Sequence, residues 1–196
     1  MSEAIAPCVY FKNTGKANTQ RALGLVFERA KDLKIETVLV ASTSGETGLA
    51  AARLMKDLDV IVVSHSAGFK AANEQELSYA NMTEIQAAGG RVLTCQHAFG
   101  GVNRSIRKKW GTYQVDEIVA QTFRIFCEGM KVAVEMALMA ADAGLVRTDI
   151  PLISIAGTSS GADTALVLIP ANSQDFFNLK ILEFVCMPSP MHPNVQ

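Results

Sequence analysis

The chain has 196 residues, enough for one substantial core, and no linker-like stretch divides it, so a single domain over residues 1–196 is expected. A formal net charge of −1 with 19% charged residues leaves no basic field of the kind that nucleic acid or an anionic membrane surface requires, and neither partner is expected. The opening MSEAIAPC has no basic-then-apolar leader pattern, and the longest apolar helix candidate is interrupted by Lys131, Glu135 and Asp142, which points to a cytoplasmic protein.

In chain order, residues 8–12 (CVYFK) read as a short edge strand. Over 18–33, Leu23, Val26, Phe27, Ala30 and Leu33 keep a helical period behind an Asn18 or Thr19 cap. The apolar run 37–41 (TVLVA) predicts a buried strand. It is followed by a loop, STSGETG, and a helix over about 46–56 whose Leu49, Ala50, Leu54 and Leu58 would lie on a sheet. Residues 59–64 (DVIVVS) form a second buried strand, 65–69 (HSAGF) a loop, and 74–88 a helix closed by Gly89 and Gly90. A third strand covers 91–94. The stretch 96–111 (QHAFGGVNRSIRKKWG) reads as a glycine-rich basic loop where ligand-contacting segments leave the carboxyl ends of strands. Helices follow at 115–126 and 129–143, the second with Met136, Met139 and Ala140 as core. Then come a strand at 151–156, the loop GTSSGADT, a strand at 164–170 and a last apolar run at 179–187, with Pro188, Pro190 and Pro193 marking an extended tail. Helix-then-strand order with continuously apolar strands predicts an α/β fold, a three-layer, mostly parallel doubly wound sheet with right-handed crossovers.

Two loops carry the chemistry. Residues 42–48 and 157–164 each follow a buried strand, and each combines hydroxyls with a glycine at a sharp turn. Glycine lets backbone amides face a ligand, hydroxyls add donors without bulk, and the first loop opens a helix whose N-terminus favours negative charge. A phosphorylated small molecule is the expected guest. The expected contacts are Ser42, Thr43, Ser44, Gly45, Glu46 and Thr47 from the first loop and Gly157, Thr158, Gly161, Ala162, Asp163 and Thr164 from the second. His65, Gly68 and Phe69 would add a further wall, with Gly101 and Arg104 beyond it. No lysine follows the glycine as in a Walker loop, and GxGxxG is absent. The sequence Gly157-x-Ser159-x-Gly161 matches a hydrolase nucleophile elbow, but an elbow opens a helix and here TALVLIP follows.

The phrases VASTSGETG, MAADAGL and GADTALVLIPA, and the element order around them, resemble the carboxyl-terminal α/β domain of pyruvate kinase, closest to small archaeal and bacterial proteins in which that domain stands alone. The resemblance covers nearly the whole chain. It implies phosphate binding at Thr43-Ser44-Gly45-Glu46-Thr47 and at residues 157–164, and, from the stand-alone members, flavin mononucleotide (FMN) as cofactor. It implies a homo-oligomer as well. Pyruvate kinase activity is not expected, because its chemistry belongs to a (β/α)8 barrel of about 250 residues. Where pyruvate kinases often carry a basic residue after the loop glycine, this chain has Glu46, which disfavours a second phosphate.

The remaining residues allow two readings each. Asp163 either caps a turn or holds a ribityl hydroxyl, and His65 and His97 either share a crevice or are structural. Arg104 is the candidate for a bidentate phosphate or flavin contact among Arg107, Lys108 and Lys109, while Trp110 either stacks on a ligand or packs between helices. Cys8, Cys95, Cys127 and Cys186 form no CxxC pair, so buried free thiols are expected, with no metal and no disulfide. No catalytic set emerges. Three functions remain: a binder of a phosphorylated molecule such as FMN, an FMN-dependent oxidoreductase, and a regulatory sensor of a sugar phosphate.

Overall fold

The computed structural model describes residues 3–189. Seven strands form one sheet: β1 (Val9–Phe11), β2 (Thr37–Ala41), β3 (Asp59–Ser64), β4 (Arg91–Thr94), β5 (Leu152–Ala156), β6 (Thr164–Ile169) and β7 (Lys180–Pro188). Their spatial order is β1-β7-β6-β5-β2-β3-β4. Every neighbouring pair is parallel except those of β6, which runs antiparallel to β5 and β7. The reversal has a simple cause. Residues 157–163 alone join β5 to β6, and a parallel crossover takes about a dozen residues or more.

The helices are α1 (Thr19–Leu33), α2 (Glu46–Leu54), α3 (Tyr79–Ala87), α4 (Val102–Trp110), α5 (Val115–Arg124) and α6 (Glu128–Asp142), with 3-10 turns at Lys16–Asn18 and Ser173–Asn178. Strand alternation assigns them to two faces. Val38, Val40, Val60, Val62, Ile153 and Ile155 point to one side, where Leu23 and Val26 of α1, Ala51 and Ala52 of α2 and Ile85 of α3 cover them. Leu39, Ile61, Leu152, Leu166 and Leu168 point to the other and meet α5 and α6. Helix α6 is buried almost all round, from Gly129 to Ala141. Its start lies so close to β6 that a Cβ on Gly129 would stand 2.2 Å from the Thr164 hydroxyl.

Two segments differ from the sequence reading by more than two residues. The helix expected from residue 74 begins at Tyr79, because the Ser78 side chain caps it by accepting the Asn81 amide. Asn73, at φ 63°, lies in the irregular segment before it. The stretch 96–111 is not all loop, since α4 occupies most of it. Its apolar Val102, Ile106 and Trp110 recur every fourth residue, a helical spacing obscured by the four basic residues among them. Trp110 neither packs between helices nor lines a cavity; it is exposed, with the Lys109 ammonium 5.0 Å from its ring. The four thiols are free, but only Cys186 is buried, and burial pushes that thiol up to about 12. Pro188, expected in a tail, is the last residue of β7, opposite Phe11 of β1, while Pro190 and Pro193 lie outside the described residues. Among the described residues no helix is long and apolar enough to cross a membrane.

Candidate functional site

The chain steps outward from β2 to β3 and β4, then returns to β5 on the other side of β2. A crevice must open where the loops leaving β2 and β5 part, at the carboxyl edge of the parallel strands. A cavity of about 750 Å³ occupies this place, within the range of small-molecule sites. Its residues come from the first turns of α1 and α2, from one side of α6 between Glu128 and Met139, from the loops after β2, β3, β4 and β5, and from Arg104 of α4 and Arg124 of α5. Helix N-termini on both faces of the sheet therefore converge on one space.

The first loop is held from behind. Ser42 Oγ accepts the Gly48 amide at 3.1 Å, capping α2 from within, and Asn81 of α3 donates its side-chain amide to the Ser44 carbonyl at 2.8 Å. Gly45 turns the chain at φ 98°, and a Cβ there would stand 2.6 Å from both Asn81 and Leu77. Ser42, Thr43, Ser44, Glu46 and Thr47 are on the cavity wall, and Gly45 is not. Glu46, expected to repel anions, is paired with Lys16 from the turn before α1 at 2.7 Å. That hydrogen bond lowers the Glu46 carboxyl below its usual range, and the positive charge missing from the loop is thus supplied by another element.

The second loop is folded by Asp163. Its Oδ2 accepts the amides of Gly15 at 2.7 Å and Thr158 at 3.1 Å, and its Oδ1 accepts the Thr164 hydroxyl at 2.8 Å. The carboxylate is fully buried, so of the two readings of Asp163 the turn-organising one describes its position. Ala162 is buried too and donates its amide to Thr19 Oγ1 at 3.0 Å. Gly157, Ser159, Ser160 and Gly161 reach the cavity; Thr158 and Thr164 are not on its wall.

His65 and His97 do share one crevice, with ring centroids 5.4 Å apart and Phe69 against both, 4.1 Å from His65 and stacked 4.9 Å from His97. Glu76 holds His65 Nδ1 at 2.8 Å, which leaves Nε2 facing the Thr43 hydroxyl at 3.5 Å. Oriented so, His65 can take a proton from a hydroxyl or, protonated, give one to an anion. His97 Nε2 accepts the Ser66 amide at 3.3 Å, so its Nδ1 proton points toward Glu135, 3.7 Å away. Gly68 serves the turn that carries Phe69, and Gly101 packs against Gln96 at the start of α4; neither is on the wall.

The wall contributed by α6 escaped the sequence reading. Lys131 and Glu135, one turn apart and both buried, form an ion pair, and Glu135 also accepts the Phe99 amide at 2.9 Å. Burial alone would raise the Glu135 carboxyl, but His97 and Lys131 outweigh it and hold it at about 2. Burial lowers the Lys131 ammonium, which Glu135 only partly restores. Val132, Met136 and Met139 give the same wall an apolar surface. The available signal was a Lys and a Glu at i and i+4 inside an otherwise apolar helix. Arg104 stands 4.7 Å from the Phe69 ring, with its buried Nε lacking a hydrogen-bond partner.

The family described as pyruvate kinase, alpha/beta domain, matches residues 21–168, a span that holds both loops and α6. The chain belongs to this family. Among solved structures, this pyruvate kinase α/β-domain chain is similar to the pyruvate kinase of Cryptosporidium parvum, with a TM-score of 0.39 and 11% identity over 84% of this chain and 22% of that one. It is similar also to a Cryptosporidium parvum pyruvate kinase in complex with ADP, with a TM-score of 0.39 and 12% identity over 84% of this chain and 23% of that one. The chain thus spans less than a quarter of the length of either enzyme.

Proposed function

We propose that the cleft binds a phosphorylated ligand with a flat ring, FMN being the member of that class that suits it best. The observation that carries this reading is the contrast between its walls. One wall offers hydroxyls and two helix N-termini, from Thr43 to Thr47 and from Ser159 to Gly161 with Lys16 beside them; the other offers Val132, Met136, Met139 and Phe69. A phosphate suits the first and an aromatic ring the second. The Arg104 guanidinium, 4.7 Å from the Phe69 ring, sets a positive charge beside the ring site. These residues fit the group. In that role Thr43, Ser44 and Thr47 hold the phosphate, Ser159 and Ser160 the ribityl hydroxyls, and Arg104 and Phe69 the ring.

A bound flavin would supply hydride or electron transfer, with the protein contributing orientation and electrostatics. The oxidoreductase reading is favoured by one specific arrangement, the buried Lys131, Glu135 and His97 on the ring-facing wall, which can hold or move a proton there.

The test is the visible absorption of the freshly purified protein, followed by thermal shift with FMN, riboflavin and a sugar bisphosphate. A flavin band, or stabilisation by FMN well above that by riboflavin, is the expected result, since a ligand specific to the folded state raises its stability. A colourless protein that FMN does not stabilise overturns the reading. Stabilisation by the sugar bisphosphate alone moves the assignment to a metabolite sensor.

A further inference from the structure

A second, smaller cavity of about 130 Å³ lies between α4, α5 and α6. It borders the cleft through Arg104, Arg124 and Lys131, while Arg107, Tyr113 and Glu117 line it alone. Arg107 Nε donates to Glu117 Oε1 at 2.6 Å, and the other oxygen of this buried carboxylate, Oε2, has no partner. Arg104 Nε has none either. Among the described residues these are the only two buried side-chain nitrogen or oxygen atoms left unbonded, and both residues line this cavity. One is a donor and the other an acceptor, and a folded chain rarely leaves either without a partner.

The charge is also unbalanced. Arg104, Arg107, Arg124 and Lys131 face the cavity, and Glu117, Glu128 and Glu135 pair with three of them. Of these four cations, Arg104 is the one with no carboxylate paired to it among the described residues.

We infer that this cavity binds a small oxyanion that also carries a hydroxyl, of which monohydrogen phosphate is the simplest case. Its anionic oxygen accepts from Arg104 Nε, and its hydroxyl donates to Glu117 Oε2. A 2-hydroxycarboxylate has the same two features. Sulfate has the charge but no proton at neutral pH, so it sets an oxygen lone pair against Glu117. The inference does not depend on what fills the neighbouring cleft.

The test is calorimetric titration of the full chain with inorganic phosphate, sulfate and lactate, for the wild type and for Glu117→Gln. Phosphate is expected to bind about tenfold or more tighter than sulfate, because a site built around a hydroxyl donor rejects an analogue that lacks it. The amide of E117Q can itself donate, so that preference is expected to vanish in the variant, with sulfate gaining what phosphate loses. Lactate binding that E117Q abolishes assigns the site to hydroxy acids as well as phosphate. If E117Q fails to fold, the wild-type Arg104 Nε–H resonance gives the same answer by shifting with phosphate and not with sulfate. Equal response to both anions, no response to any, as for a cavity holding water alone, or a phosphate preference that E117Q retains overturns the inference. FMN titrations run in parallel report on the cleft separately, and E117Q is expected to leave them unchanged.

Discussion

Asp163 Oδ2 lies 2.7 Å from the Gly15 amide, a contact between residues 148 apart in the chain. The same oxygen holds Thr158, so one buried carboxylate fastens the second loop to the turn that presents Lys16. Asp163→Ala strands two amides without an acceptor and leaves the Thr164 hydroxyl only the Cys127 thiol, 3.4 Å away. A loss of about 2–4 kcal/mol is expected, on the scale of several charge-assisted hydrogen bonds removed together, and urea denaturation measures it. Ligand affinity should fall with it, because Gly157 to Gly161 would lose their shape.

Gly48 faces β3 so closely that a Cβ there would stand 2.4 Å from Val62 Cγ1. Gly48→Ala is therefore expected to cost about 1–3 kcal/mol through overpacking. The cause can be isolated. Val62→Ala removes the opposing methyls, so the double variant should be more stable than the sum of the two single effects by about 1 kcal/mol. Strict additivity in chemical denaturation would mean that the close approach is not what Gly48 provides.

Much of this was open to inspection in the sequence. The strands at 37–41, 59–64 and 91–94 could be bounded from their apolar runs, because strands buried on both faces leave no polar alternation to confuse them. Thr43, Thr47, His65, Phe69 and Arg104, expected at a ligand from the sequence, line the cavity. Asp163 and Ala162 were expected beside a ligand and instead hold the loop together, a distinction that depends on Gly15 and Thr19, residues remote in sequence. Lys131 and Glu135 were read as interruptions of an apolar helix. A buried pair at i and i+4 looks like a solvated one until the surrounding layers are known.

That pair sets an acid limit on stability. Glu135 has its folded-state value depressed to about 2 from the ordinary 4.5, so its ionised form stabilises the fold above the ordinary value. The contribution is lost as pH falls from about 4.5 toward about 2. Lys131 is shifted downward by burial, so its change runs from the opposite end of the pH scale to that of Glu135. Unfolding free energy measured across the acid range should decline in the wild type. In a Lys131→Met, Glu135→Gln double variant, which leaves no lone buried charge, the slope should be shallower. An unchanged slope would assign the acid sensitivity to other carboxylates.

Ser42 and Thr43 are adjacent hydroxyls with opposite duties. Ser42 Oγ is spent inside the fold on the Gly48 amide, whereas the Thr43 hydroxyl meets only His65, at 3.5 Å, and otherwise faces the cavity. Ser42→Ala should cost about 1 kcal/mol of stability, the usual price of a lost helix cap. Thr43→Val removes the hydroxyl and keeps the shape, so stability should stay within about 0.5 kcal/mol of the wild type. Its FMN affinity should fall about tenfold to a hundredfold, the value of one hydrogen bond to a charged group. Thermal melts and flavin fluorescence titrations on the two variants separate the effects. A Thr43→Val protein that binds FMN as the wild type does would place the phosphate elsewhere than on the first loop.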